Sequence, residues 1–369
     1  PIQWVAEHRN YIQGKQFCDF QVSGPFAKWE HTHLIEPEGE SACQLEDYIE
    51  YSLPMGVLGE VVVGKSIRQK LSRMFDYRHE VTKQDIMLHQ QHKGEKMKIA
   101  ITGSTGLVGS ALVPFLTTGG HEVTRLVRPG GSGLNIAGPA SQLVDEVHWD
   151  PLTGEIDKES LEGIDVIIHL AGEPIAGGRW NTKTKKQIQD SRIQGTRLIS
   201  QTISDLQTPP KVLLSASAIG FYGDRGDETL NEESQSGAGF LSEVCEAWEQ
   251  ETDSAKKNVR VVNLRFGLVL SPAGGALAKM LLPFQLGIAG NLSVLRRQYM
   301  ICIGLDDVIG IVHHALTTED LNGPINAVSP NPVRNSEYTR TLNRVLGRPF
   351  PMNRFPTVSY THLTLPTKA

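Results

Sequence analysis

One run constrains this chain more than any other. Lys98-Ile99-Ala100-Ile101-Thr102 is a short apolar strand that leads directly into Gly103-Ser104-Thr105-Gly106-Leu107-Val108-Gly109, and a helix-patterned segment, Ser110 to Thr117, follows. Glycines spaced in this way suit a dinucleotide pyrophosphate. Gly103 permits the tight turn, Gly106 lets the backbone come close to the phosphates, and Gly109 lets helix and strand pack together. The helix start then offers N–H groups and a positive dipole end to the anion. A second apolar strand, His121 to Val127, completes the context that separates this motif from an ordinary glycine-containing turn.

At 369 residues the chain is too long for one ordinary core and implies two or three domains. A hydrophobic content of 39% with 21% charged residues fits a soluble globular protein, and a net charge of −5 gives no sign of nucleic-acid binding. The basic cluster Lys183, Lys185, Lys186 reads as a solvated helix face. No apolar run reaches the roughly 20 residues of a membrane span, so no membrane partner is expected. Cys18, Cys43, Cys245 and Cys302 are scattered without metal-ligand spacing, which points to a reducing, cytoplasmic setting. Among the histidines only His31-Thr32-His33 and the His89, His92 pair lie close together. Strand alternation explains the first, a polar linker explains the second, and no metal is assigned. The chain begins at Pro1 in what reads as mid-domain sequence, so truncation at that end is expected.

Residues 1 to about 57 are β-patterned, with strands near 17–23, 28–35 and 43–53. From Leu58 to about Tyr77 the period becomes helical through Val61, Ile67, Leu71, Met74 and Phe75. Trp29-Glu30-His31-Thr32-His33, Asp47 to Tyr51, Leu53 to Gly56 and Arg73 to His79 carry a resemblance to the C-terminal part of START-like (polyketide cyclase) helix-grip domains. That resemblance implies a partial α+β helix-grip domain at 1–79 with an apolar ligand cavity; a plain packing module is the other reading. Residues 80–96 are polar and read as a linker. Strands and helices then alternate: strand 98–102, helix 107–118, strand 122–127, a short strand near 147–149, strand 164–170, helix 182–205, strand 211–217, helix 239–257 and strand 259–264. Continuous apolar runs such as Val166-Ile167-Ile168 mean a parallel sheet buried on both faces. The expected fold class is α/β, a Rossmann-type doubly wound parallel sheet at 97–270, with a small substrate or lid lobe at 271–357.

The second strand ends in Arg125-Leu126-Val127-Arg128. A carboxylate at this point would hold the ribose 2′-OH of NAD, whereas an arginine accommodates the 2′-phosphate of NADP. Arg128 is the better placed of the two, because alternation points Arg125 elsewhere; NADP is therefore preferred over NAD. Ile168-His169-Leu170-Ala171-Gly172 ends the fourth strand with small residues that let the cofactor pass, so Leu170, Ala171 and Gly172 join residues 103–109 as cofactor contacts. Together with the glycine run at 102–109, the runs 169–176, Gly178-Arg179-Trp180, Ser191-Arg192, Gly195-Thr196, Ser215 to Gly223 and Arg265 to Leu270 resemble the atypical short-chain dehydrogenase/reductases of the epimerase-family type. The resemblance spans about 97–350 and implies an oxidoreductase or epimerase acting on a small hydroxyl- or carbonyl-bearing substrate.

Active short-chain dehydrogenases use a Tyr-x-x-x-Lys pair, in which the lysine lowers the tyrosine pKa from about 10. Here Phe240 or Leu241 stands at the tyrosine position and Val244 or Cys245 at the lysine position. The resemblance makes Ser217 the residue that binds a substrate oxygen, and Tyr222, five residues on, is either a proton donor or, the favoured reading, a packing aromatic of the Gly-rich loop. Glu173, Arg179 and Arg192 are further pocket candidates, and Arg296 and Arg297 suit an anionic group. The missing pair keeps open a second class: a catalytically silent dinucleotide sensor or scaffold. The tail 358–369 has no helical period and reads as a non-native end.

Overall fold

The computed structural model describes residues 4–348 apart from 41, 93, 95, 131–143, 176–179 and 288–297. It divides into two compact units, Pro1–Gln84 and Asp85–Ala369.

The first unit is a four-stranded antiparallel meander, β1 (Val5–Ile12), β2 (Gln16–Ser23), β3 (Lys28–Glu38) and β4 (Ala42–Ser52), in the order β1-β2-β3-β4. The sequence pattern marks only three of these strands; β1 is exposed along its whole length and has no alternation to reveal it. Trp29, His31 and His33 alternate along β3 as its buried positions, as expected for a strand with one covered face. Helix α1 (Val57–Gln91) follows, and its Phe75 ring lies 5.0 Å from the His31 ring.

Residues 80–91, read as linker from the sequence, are helical. Their side chains are polar but good helix formers, and Gln84 Nε2 donates to Glu80 Oε1 at 3.0 Å across one turn. Within the second unit, Leu88 packs against the main core and His89 stacks on Phe115 at 4.4 Å.

The second unit runs β5 (Lys98–Thr102), α2 (Leu107–Thr118), β6 (Glu122–Val127), β7 (Val144–Asp150), β8 (Glu155–Ile156), β9 (Val166–His169), α3 (Thr182–Asp205), β10 (Val212–Ala218), α4 (Phe240–Gln250) and β11 (Arg260–Phe266). The chain continues through β12 (Leu268–Ser271), α5 (Gly275–Gln285), β13 (Tyr299–Met300), β14 (Cys302–Gly304), α6 (Leu305–Thr317), β15 (Gly323–Ala327), β16 (Val333–Arg334) and α7 (Asn335–Val345). The sheet order is β15-β11-β10-β9-β5-β6-β7-β8, parallel except for the short β8. Ile99, Ile101, Val166, Ile168 and Leu214 meet α2 and α6 on one face, while Ala100, Ile167 and Leu213 meet α3 on the other. The expected doubly wound α/β fold is the one observed. Helix α4 ends at Gln250, before the anticipated 257, because turns and a short 3-10 segment at Ala255–Lys257 replace its last part.

The strand order reverses between β5 and β9, and the crevice beyond the carboxyl ends of these two strands is where an open parallel sheet receives a ligand. A separate cavity of about 710 Å³, lined by His89, His121, Lys211 and His313, opens at the opposite edge, beside the strand starts Met97, Val166 and Val212.

Candidate active site at the carboxyl edge of the sheet

The Gly-rich turn is held by contacts that tolerate no side chain. Gly103 has φ +69°, and a Cβ there would lie 2.8 Å from the Leu170 carbonyl carbon and 2.9 Å from Ala171 N. A Cβ on Gly109 would lie 2.3 Å from Gly103 O and 2.7 Å from the Ser104 Cα. Gly106 is different, since its Cβ would meet only Gly103 O, at 3.2 Å, and it faces open space. The first hydrogen bond of α2 runs from Ser110 N to Gly106 O at 2.9 Å. The amides of Leu107 and Val108 therefore lie ahead of the helical ladder, where an anion is stabilised.

Thr102, the last residue of β5, ties this turn to the segment after β9. Its Oγ1 accepts from Leu170 N at 3.1 Å and Ala171 N at 3.2 Å, and stands 2.8 Å from His169 Nδ1. The two backbone donors use its lone pairs, so the hydroxyl proton goes to Nδ1 and His169 is neutral. Burial pushes the His169 pKa down to about 4, and burial among other imidazoles does the same to His313, also to about 4. An unfolded chain takes up both protons near the ordinary 6.5, whereas the native fold resists them, so acid favours unfolding. Stability is complete above pH 6.5 and is lost progressively toward pH 4. At pH 5 the loss from His169 alone amounts to about 2 kcal/mol. Calorimetric melting temperature is expected to fall across this window, and less steeply in His313→Leu.

The two arginines of the β6 segment are placed differently from the sequence expectation. Arg125, set aside by alternation, is 1% exposed and lies against the Gly-rich turn. Its Nε donates to Ser104 Oγ at 3.0 Å and its Nη1 to Glu146 Oε1 at 2.5 Å, while Nη2 is buried with no hydrogen-bond partner among the described residues. Alternation gives its face correctly as opposite to Leu126 but cannot show that Ser104 stands on that face. Arg128 projects outward and pairs with Glu173 at 3.6 Å. Such an exposed pair is worth under about 1 kcal/mol, and an anionic ligand can displace it.

Ser217 and Tyr222 belong to one buried network. Ser217 Oγ donates to Glu249 Oε1 at 2.6 Å. Arg265 grips the same carboxylate with two bonds of 2.8 Å and donates through Nη1 to the Tyr222 hydroxyl at 2.8 Å. Tyr222 in turn donates to Asn326 Oδ1 at 2.7 Å. Its side chain is fully shielded, and burial raises its pKa against the opposing pull of Arg265. The Tyr222 hydroxyl is thus bonded on both sides, to Arg265 and to Asn326. Sequence reasoning misses Glu249, which lies on α4 with no signal to distinguish it from Glu243 or Glu246.

At the lysine position of the absent pair, Val244 and Cys245 are buried, and burial pushes the Cys245 thiol up to about 12. A cation is nevertheless close by. Arg192, from α3, carries its guanidinium over the Trp248 ring at 5.0 Å and against Gly172, where a Cβ would meet its Cζ at 3.3 Å. Its Nη1 donates to two carbonyls, Glu173 O at 3.0 Å and Ile188 O at 3.1 Å. Burial lowers its pKa from the usual 12.5, but a guanidinium keeps its charge. Arg179, Arg296, Arg297 and the tail 358–369 lie outside the described residues.

Among the described residues no helix is long and apolar enough to cross a membrane. The family model of the NAD dependent epimerase/dehydratase family matches residues 99–326. An epimerase family protein of Mycobacterium bovis is 38% identical over 255 residues, covering 69% of this chain and 80% of that one. The crystal structure of the nucleoside-diphosphate sugar epimerase from Corynebacterium glutamicum is similar at 31% identity and a TM-score of 0.73, over 96% of this chain and 75% of that one. That of human epimerase family protein SDR39U1 with NADPH is similar at 31% identity and a TM-score of 0.58, over 69% of this chain and 83% of that one. The glycine turn, the reversal of strand order beside it and these matches agree: the chain belongs to the NAD dependent epimerase/dehydratase family.

Proposed function

We propose that this chain binds NADP(H) at the carboxyl edge of its parallel sheet and acts as an oxidoreductase or epimerase on a small substrate bearing a hydroxyl or carbonyl group. The observation that carries the reading is the empty side of Gly106, framed by Gly103 and Gly109 and by the free amides that open α2. The buried Nη2 of Arg125, which has no hydrogen-bond partner among the described residues, lies beside Ser104 and fits a phosphate oxygen, and the human relative solved with NADPH supports the same cofactor. Residues 103–109 would hold the pyrophosphate, Arg125 and Arg128 the 2′-phosphate, and Leu170, Ala171 and Gly172 would flank the sugar. Bound there, the dinucleotide supplies hydride exchange with a carbon bearing oxygen.

The chain's own residues do the rest. Ser217 donates its proton to Glu249, which leaves its oxygen as an acceptor for a substrate hydroxyl. Arg265, itself bonded to Tyr222, fixes the Glu249 carboxylate and thereby the Ser217 rotamer. Arg192 holds a fixed positive charge at Gly172, near the position the absent lysine would occupy.

Fluorescence titration with NADPH and NADH tests the cofactor reading. Arg125→Leu is expected to weaken NADPH at least tenfold, about 1.4 kcal/mol, with little effect on NADH. Equal loss for both cofactors would remove Arg125 from the phosphate site. The silent sensor remains the second reading, favoured by the protonated, buried Cys245 at the lysine position. NADPH consumption across a panel of small carbonyl compounds separates the two, with Ser217→Ala as the control. Turnover unaffected by that substitution would dismiss the role of Ser217.

A further inference from the structure

We propose that the sheet of the first unit carries a site for a zinc-type divalent metal ion, with His31, His33 and Asp19 as ligands and Asp47 orienting the imidazoles. Asp19 of β2 is paired with His31 of β3, and His33 is paired with Phe17 on one side and Asp47 of β4 on the other. Directly paired residues share a sheet face, as do residues two apart on one strand. One face therefore gathers Asp19, His31, His33 and Asp47. Residue His8 of β1, paired with Asp19, extends the same row.

Burial makes this gathering costly unless it is matched. His31 and His33 are 4% and 1% exposed, and their rings stand only 3.8 Å apart. An imidazole ligates a metal in its neutral form, and two rings this close can present nitrogens to one shared ion. Each ring turns one nitrogen to Asp47: His31 Nε2 is 2.7 Å and His33 Nδ1 is 2.8 Å from Oδ1. Arg78 and His79 from α1 hold that carboxylate in turn, with His79 Nε2 at 2.5 Å from Oδ2 and Arg78 Nη1 at 3.5 Å from Oδ1. Arg78 Nη2 also lies 3.1 Å from His33 Nδ1. For His31 this carboxylate is the usual device that fixes the tautomer of a metal-binding imidazole and aims its other nitrogen. For His33 to ligate through Nε2, its Nδ1 must donate to Asp47, and Arg78 Nη2, a donor only, must turn away from that nitrogen.

The other nitrogens both face Asp19. His33 Nε2 lies 3.2 Å and His31 Nδ1 4.0 Å from Asp19 Oδ2, and one ligand atom from each residue falls within 4.8 Å of the other two. Ligands about 2.0–2.2 Å from a tetrahedral zinc ion stand roughly 3.3 Å apart, so one edge of the triangle is already at that length. A small turn of Asp19 closes another. The remaining oxygen, Asp19 Oδ1, pairs with His8 Nδ1 at 2.6 Å, so Oδ2 is the one that faces the two imidazoles. Two imidazoles and one carboxylate suit zinc, cobalt or nickel ions over magnesium or calcium. The sequence alone assigns no metal because no third ligand is near His31 in the chain. The register of β2 on β3 supplies it.

The test uses the full chain, stripped with a chelator and titrated with Co²⁺ and with Zn²⁺. One equivalent of Co²⁺ is expected to give the visible absorption of a low-coordinate nitrogen- and oxygen-ligated centre, and Zn²⁺ is expected to displace it. Asp19→Asn and His33→Gln should each weaken uptake at least tenfold. Asp47→Asn should weaken it by about 10- to 100-fold through the orientation of the rings. His92→Gln, in the other unit, should leave it unchanged. If a variant fails to fold, the stoichiometry and spectrum of the unaltered chain decide alone. Absence of one-to-one uptake by the unaltered chain, or uptake undiminished in a folded His31→Gln/His33→Gln variant, would show an ion-pair network with no metal.

Discussion

Adding a single methyl group at Gly109 will remove dinucleotide binding and loosen the second unit together. The new Cβ would sit 2.3 Å from Gly103 O and 2.7 Å from the Ser104 Cα, both backbone atoms of the turn itself. Neither can retreat without moving α2 away from β5, and α2 carries Leu112, Val113 and Leu116, all fully buried in the main core. Overpacking of this kind costs about 1–3 kcal/mol. The expected NADPH affinity of Gly109→Ala is at least 100-fold lower, about 2.7 kcal/mol, with a melting temperature lower by several degrees. Gly106→Ala provides the contrast. Its methyl group meets only Gly103 O at 3.2 Å and otherwise fills open space, so the fold should keep its melting temperature while NADPH affinity falls comparably. A Gly106→Ala protein that binds NADPH normally would move the pyrophosphate away from this turn.

Glu249→Ala is expected to be the most destabilising change in the site. The Arg265 and Glu249 side chains are only 4% and 13% exposed, and the carboxylate receives Ser217 as well as two bonds from the guanidinium. Removing the acid leaves a buried cation without its counter-charge, a loss of about 3–5 kcal/mol. At roughly 2–4 °C per kcal/mol for a unit of this size, melting temperature should drop by about 10 °C. Replacing both partners, as in Arg265→Met/Glu249→Leu, should cost less than the single change, because no orphaned charge remains. Tyr222→Phe loses the bonds to Arg265 and Asn326 and should cost about 1–2 kcal/mol. Calorimetry on the three variants checks the ranking. If Glu249→Ala melts within about 2 °C of the unaltered chain, the pair is not the anchor of this site.

The elements with strong periodicity are legible without coordinates. Helix 182–205 coincides with α3, and strand 122–127 with β6. Gly103 and Gly109 have the roles their spacing implies, a left-handed turn and a close helix approach. Errors arise where a segment lacks an apolar signature of its own. The strand β1 is exposed throughout, and residues 80–91 are polar helix held by local bonds and by Leu88 and His89. In the site, the sequence selects Ser217 and Tyr222 but cannot show that Glu249 and Arg265 join them. These four residues come from β10, the segment after it, α4 and β11, and only the parallel pairing of Ser217 with Arg265 brings them together.

The sequence by itself determined the order of strands and helices and the glycine turn, because hydrophobic period and the lack of a Cβ are properties of neighbouring residues. Tertiary structure decided which polar groups meet. Arg125 reaches Ser104 across 21 positions and Asp19 faces His31 across 12, through sheet register and loop placement. No local rule encodes either distance. Chain neighbours fix backbone conformation, while the burial and pairing of charges depend on the assembled sheets, and that is where the chemistry of this protein is set.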